Sequence, residues 1–191
     1  YACFQNPERV FDGGDDADFR VVVPLSGGLD SSTAFAMAVT ADMPVLPIFI
    51  DTGAAYADAE YKAAQEVCEA LTGERSVQRL KLHVDYKKWD YVDASRNTII
   101  VWACAHELQR QGLWGEVWFG NNAQWRESQQ TGSDKCARFF ADMQALIYLE
   151  DIDARLVNPL QGMQGGDIVG WWFRRGLVHV AHLSRSCYHP D

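Results

Sequence analysis

The chain has 191 residues, 48% of them hydrophobic and 23% charged, with a formal charge of −9. That length supports one domain with a core of its own, and no apolar run approaches the ~20 residues that a membrane helix needs, so such a span is excluded. The acidic balance argues against a broad nucleic-acid footprint, and an anionic ligand must be met locally by helix ends, arginines or a metal ion.

In chain order, residues 1–17, with Asp12-Gly13-Gly14-Asp15-Asp16 among them, read as an irregular leader, and 18–191 as a single domain. Val21-Val22-Val23-Pro24-Leu25 reads as a buried strand, stopped by Gly27 and Gly28. Both glycines are expected to take backbone angles that side chains forbid and to let the backbone approach a ligand. A helix is expected over 29–40, with Ser31, Ser32 and Thr33 offering hydroxyls beside the free N–H groups of its first turn. Those N–H groups and the helix dipole attract an anion, most often a phosphate. No Gly-Lys-Ser/Thr follows, so this is not the Walker loop. The bland alternative is an ordinary glycine-rich strand–helix turn.

A second strand is expected over 45–50, ending at Asp51-Thr52-Gly53. Asp51 could accept from a ribose hydroxyl or an adenine amino group, or cap the following turn. An amphipathic helix is expected over 60–71, burying Ala63, Ala64, Val67, Cys68 and Leu71 on one face and stopping at Gly73. A third strand over 77–84 leads into an aromatic, charged connection over 85–95 and a helix over 97–111. Arg96-Asn97 would open that helix: Asn97 can cap it, and Arg96 offers a planar fork suited to a carboxylate or phosphate. A short strand over 116–119 runs into Gly120-Asn121-Asn122, then a polar loop over 121–134 and a helix over 136–149. A fifth strand over 154–157 and a last helix over 167–175 complete the pattern, and His179 and His182 read as structural residues on a further strand.

Strands alternating with helices at this spacing give βαβ units and a parallel, doubly wound α/β sheet of five strands with helices on both faces. Ligands of such sheets sit beyond the carboxyl ends of the strands, where the Ser26 loop, Asp51 and Gly120 all fall. Five cysteines carry no Cys-x-x-Cys pair, so free thiols of an intracellular chain are expected. Seven tryptophans are many; Trp89, Trp125, Trp171 and Trp172 could stack on a flat heterocycle or pack in the core. Trp125, in the polar loop, is the best ligand candidate.

Ser26-Gly27-Gly28-Leu29-Asp30-Ser31 resembles the Ser-Gly-Gly-x-Asp-Ser signature of the N-type ATP pyrophosphatases. In that family the loop holds the β- and γ-phosphates while ATP is cleaved to AMP and pyrophosphate. With Arg96-Asn97, Asn158-Pro159-Leu160, Asp167-Ile168-Val169 and Ser186-Cys187-Tyr188 in matching order, the chain resembles the 7-cyano-7-deazaguanine synthase family over about residues 20–188. The resemblance implies an adenine-nucleotide alpha hydrolase-like (HUP) fold and an ATP-dependent carbon–nitrogen ligase of queuosine biosynthesis, located in the cytoplasm. ATP would adenylate the carboxylate of 7-carboxy-7-deazaguanine, ammonia would displace AMP, and a second ATP would dehydrate the amide to the nitrile. Ser26, Asp30, Ser31 and Arg96 would be catalytic, with ATP and magnesium bound by Leu25, Ser26, Gly27, Gly28, Leu29, Asp30, Ser31, Ser32, Asp51, Asn97 and Gly120. Alternatives are a relative that hands the activated base to an amine on a protein or nucleic acid, and a non-catalytic nucleotide-binding module. A homodimer or partner protein is also compatible with it.

Three departures mark a divergent branch. The family's cysteine is the first of four zinc ligands, whereas Cys187 is followed only by Tyr188-His189-Pro190-Asp191, so the zinc tail is expected to be incomplete. Gly165-Gly166-Asp167 stands where the family usually has a lysine before the acidic residue, and Thr52-Gly53-Ala54 where it usually has Tyr-Gly-Gln. A basic residue among Arg96, Arg126, Lys135 and Arg138, Arg138 first, is expected to supply the missing charge.

Overall fold

Three consecutive β-branched valines with no exposed surface can only be the middle strand of a covered sheet. The computed structural model describes residues 16–82, 92–122 and 129–185. It contains strands β1 (Phe19–Pro24), β2 (Val45–Asp51), β3 (Gln78–Lys81), β4 (Trp114–Trp118) and β5 (Ala154–Val157). The helices are α1 (Leu29–Thr40), α2 (Ala57–Thr72), α3 (Val92–Arg110), α4 (Gln129–Leu149), α5 (Gly165–Arg174) and the single turn α6 (Val178–Ala181). The strand order is β3-β2-β1-β4-β5, and every neighbouring pair is parallel. The protein is therefore a doubly wound α/β fold.

Alternation along β1 divides the core. Val21, Val23 and Leu25 pack with α1, α2, α5 and α6 on one face, whereas Val22 packs with α3 and α4 on the other. The first connections lead outward from β1 through β2 to β3, and the chain then returns to place β4 on the other side of β1. The order reverses between β1 and β4, and that crevice is where such sheets bind ligands.

Buried Trp172 fastens α5 to the start of α1: its indole Nε1 donates to Thr33 Oγ1 at 2.8 Å, while that hydroxyl donates to Leu29 O at 2.7 Å. Trp172→Phe should lower stability by about 1–3 kcal/mol, from the lost hydrogen bond and the volume left behind. An unchanged urea midpoint would show that the indole N–H contributes nothing to holding the two helices together.

Several boundaries differ from those expected. Helix α2 begins at Ala57, three residues before Glu60, and α4 at Gln129, inside the expected loop over 121–134. Helix α3 begins at Val92, so Asn97 stands within it and does not cap it. Asp93 and Ser95 read as loop residues, yet short polar side chains are also favoured in the first turn, where they meet the positive helix end. The alternating Val178-His179-Val180 is a helical turn that sets Val180 into the core, and His182 follows it; neither histidine lies on a strand. Asp16–Asp18 form a 3-10 turn at the end of the expected leader.

Candidate active site

The Ser26–Ser31 loop leaves β1 at the centre of the sheet's carboxyl edge, and a closed ring of hydrogen bonds shapes it. Ser31 Oγ donates to Gly28 O at 3.0 Å and accepts from Ser26 N–H at 3.2 Å. A hydroxyl has one proton, so Ser26 Oγ is the donor in the 3.0 Å contact between the two serines. Ser26 and Ser31 thus meet, and their hydroxyls set the shape of the loop. No side chain among the described residues caps the N-terminus of α1. Within the loop Ser26 N–H is taken by Ser31 Oγ and Gly28 N–H by Ser26 Oγ at 3.4 Å, so what the loop leaves uncapped is the helix end with its dipole.

The two glycines do different things. Gly27 has φ +75°, and a Cβ there would stand 2.7 Å from Ala63 Cβ, 2.8 Å from Ala64 N and 2.9 Å from Glu60 O. Gly27 lets the loop lie directly on α2. Gly28 has φ −76° and ψ 159°, extended backbone open to any residue, so the expectation of a forbidden angle at Gly28 is corrected. A Cβ at Gly28 would meet only Ser26 Oγ at 3.4 Å and Arg185 O at 3.7 Å. A side chain there would stand between the Ser26 hydroxyl and the Arg185 backbone. The loop is also tied from behind, because Arg185 N–H donates to Gly27 O at 2.8 Å.

Asp30, in the first turn of α1, accepts from Asn122 Nδ2 at 3.0 Å across the gap between β1 and β4. Burial raises its carboxyl above the ordinary value, and the hydrogen bonds from Asn122 partly oppose that rise. Gly120 brings the two segments together: a Cβ there would stand 2.8 Å from Asp30 O. Asn158 braces the next strand end, accepting from Asn121 N–H at 3.2 Å and donating to Asn121 O at 2.9 Å. Asn122 and Asn158 were not among the expected site residues; the only signal was an asparagine just past a strand end.

Asp51 is engaged within the protein. Its Oδ1 accepts from Gly53 N–H at 2.9 Å, and its Oδ2 from Arg79 Nη2 at 2.6 Å and Nε at 3.0 Å. Gly53 first, then Arg79, holds its carboxyl below the usual range. Asp51 therefore shapes the turn after β2, the capping alternative, and ties β2 to β3. Arg96 pairs with buried Glu60 at 3.3 Å, its fork turned to a carboxylate of the protein. Arg138 is 85% exposed and leans on Asp142 at 3.8 Å, a solvated helix pair. Arg126, the Lys135 side chain, Trp89, Trp125 and Cys187 lie outside the described residues.

Among the described residues, no group of three or more His, Cys, Asp or Glu side chains stands together to hold a metal ion. Magnesium is often held by one or two carboxylates plus substrate phosphates. Asp30, beside the loop and short of solvent, fits that role. Compared with known proteins, the chain matches no family model and no curated protein sequence.

Proposed function

We propose that this chain is an ATP-dependent carbon–nitrogen ligase that splits ATP between the α- and β-phosphates to adenylate a 7-carboxy-7-deazaguanine-like carboxylate. The observation that carries the reading is the Ser26–Ser31 loop, set at the strand-order reversal with an uncapped helix end and the half-buried Asp30 beside it. A carboxylate oxygen is a poor leaving group. Its attack on the α-phosphorus releases pyrophosphate and makes the acyl carbon open to ammonia, which expels AMP and gives the amide. A second ATP activates the amide oxygen for loss and leaves the nitrile.

The chain's own part is to receive and hold charge. The N–H groups of the uncapped first turn of α1 are fixed before the reaction, so they would stabilise departing pyrophosphate without reorganising. Magnesium, when bound, neutralises phosphate charge, with Asp30 the residue to hold it. Asn122 keeps the Asp30 side chain aimed across the crevice. A cytoplasmic location follows from this reading; no helix among the described residues is long and apolar enough to cross a membrane.

Incubation with ATP, magnesium, ammonia and 7-carboxy-7-deazaguanine should yield AMP and pyrophosphate with an amide or nitrile, read by mass spectrometry. ADP and orthophosphate without AMP would overturn the cleavage site. Pyrophosphate with a persistent acyl-adenylate and no amide would favour the alternative acceptor, an amine on a protein or nucleic acid.

A further inference from the structure

Glu60 is 5% exposed, and its pairing crosses the molecule. It sits in the first turn of α2, on the face of the sheet that holds α1, whereas its partner Arg96 belongs to α3 on the opposite face. The pair therefore spans the carboxyl edge of the sheet. Glu60 O lies 2.9 Å from the position a Cβ would take at Gly27, which places this carboxylate's own turn against the phosphate loop. Arg96 engages Oε2 at 3.3 Å, while Oε1, equally buried, has no hydrogen-bond partner among the described residues. A buried carboxylate oxygen without a donor costs about 1–3 kcal/mol or more, which a donor arriving with a ligand would recover. The Tyr56 ring stands beside it, its centroid 5.8 Å from the Arg96 guanidinium.

We infer that Glu60 reads the base of the substrate, accepting through Oε1 from the N–H edge of a guanine-type ring. The inference rests on the proposed function for the substrate class. The chemistry selects among bases. An adenine edge presents an amino donor beside a ring-nitrogen acceptor, which a carboxylate repels. A guanine-type edge presents a ring N–H beside an exocyclic amino group, both donors, and a carboxylate oxygen has two lone pairs to receive them. Glu60 therefore discriminates against the adenine of ATP and for a deazaguanine. Arg96 is a positioning residue that keeps the carboxylate in place.

Isothermal titration calorimetry with 7-carboxy-7-deazaguanine and its 2-desamino analogue tests this on the wild-type chain. The parent base should bind at least ~tenfold more tightly than the analogue, because the analogue keeps the ring N–H but loses the amino donor to the same charged oxygen. Glu60→Gln should bring the two affinities to within about threefold of each other, since its amide N–H₂ no longer favours a donor edge. Equal binding of the two bases by the wild type, or binding of neither, overturns the inference. A tenfold preference that persists in Glu60→Gln overturns it too, and should that variant fail to fold, Glu60→Asp, which shortens the reach to the base, should likewise narrow the preference if Glu60 makes the contact. ATP titration and pyrophosphate release, measured in parallel, report on the loop: their failure with base discrimination intact would sink the proposed function and leave the role of Glu60 standing.

Discussion

Gly27→Ala should unfold much of the population that Gly28→Ala leaves intact, although the two glycines are neighbours in one loop. At Gly27 a methyl group meets two backbone atoms of α2, Ala64 N at 2.8 Å and Glu60 O at 2.9 Å, and neither can rotate away. The φ of +75° adds the left-handed cost that Ala carries and Gly does not. Together these predict a loss of about 3–5 kcal/mol, a large part of the stability of an ordinary domain. At Gly28 the backbone is extended and the nearest atom to a new Cβ is 3.4 Å away. Stability should stay within about 0.5 kcal/mol of wild type. ATP affinity should nevertheless fall at least ~tenfold, because the methyl group crowds Ser26 Oγ and disturbs the Gly28 N–H to Ser26 Oγ contact that shapes the loop. Urea unfolding and ATP titration separate the two effects. A Gly27→Ala protein of wild-type stability, or a Gly28→Ala protein with wild-type ATP affinity, would contradict this division of labour.

The central strand and its loop were legible because their signals are local. Val21 to Val23 and the Gly27-Gly28 pair impose strand and turn whatever surrounds them. The parallel order followed from alternation of element types, which survives errors of a few residues at each boundary. What escaped notice depends on partners distant in sequence. Asp51 looked free to bind a nucleotide until Arg79 and Gly53 were seen to occupy both of its oxygens. Arg96 was picked out for its donors, but Glu60, the acceptor that takes them, read only as one polar residue of an amphipathic helix. Asn122 and Asp30 are 92 positions apart and meet only because β4 returns beside β1. Helix starts were missed for another reason: residues that favour a first turn also favour loops, as with Asp93 and Ser95.

Asp30→Asn should make the protein more stable and nearly inactive. Burial raises the Asp30 carboxyl above its ordinary value. A group of that kind supports the fold fully below its unfolded pKa, and the support is lost as pH rises through the native one. Ionising this carboxyl therefore costs more in the fold than in the unfolded chain. Asparagine removes the charge, and its amide oxygen still accepts from Asn122 Nδ2, so the bridge across the β1–β4 crevice survives. Without nucleotide or metal, the variant should gain about 0.5–1 kcal/mol over wild type at neutral pH, and the gain should shrink as pH falls and vanish below the unfolded pKa of about 3.9, where the wild-type carboxyl is protonated in both states. Turnover should fall on the order of a hundredfold, since a neutral amide cannot hold magnesium against the phosphates as a carboxylate does. Thermal unfolding across that pH range, with pyrophosphate release on the same samples, measures both. A less stable variant at neutral pH would show that the Asp30 charge is well solvated in the fold. Undiminished turnover would remove Asp30 from the chemistry and leave it only the task of joining α1 to the end of β4.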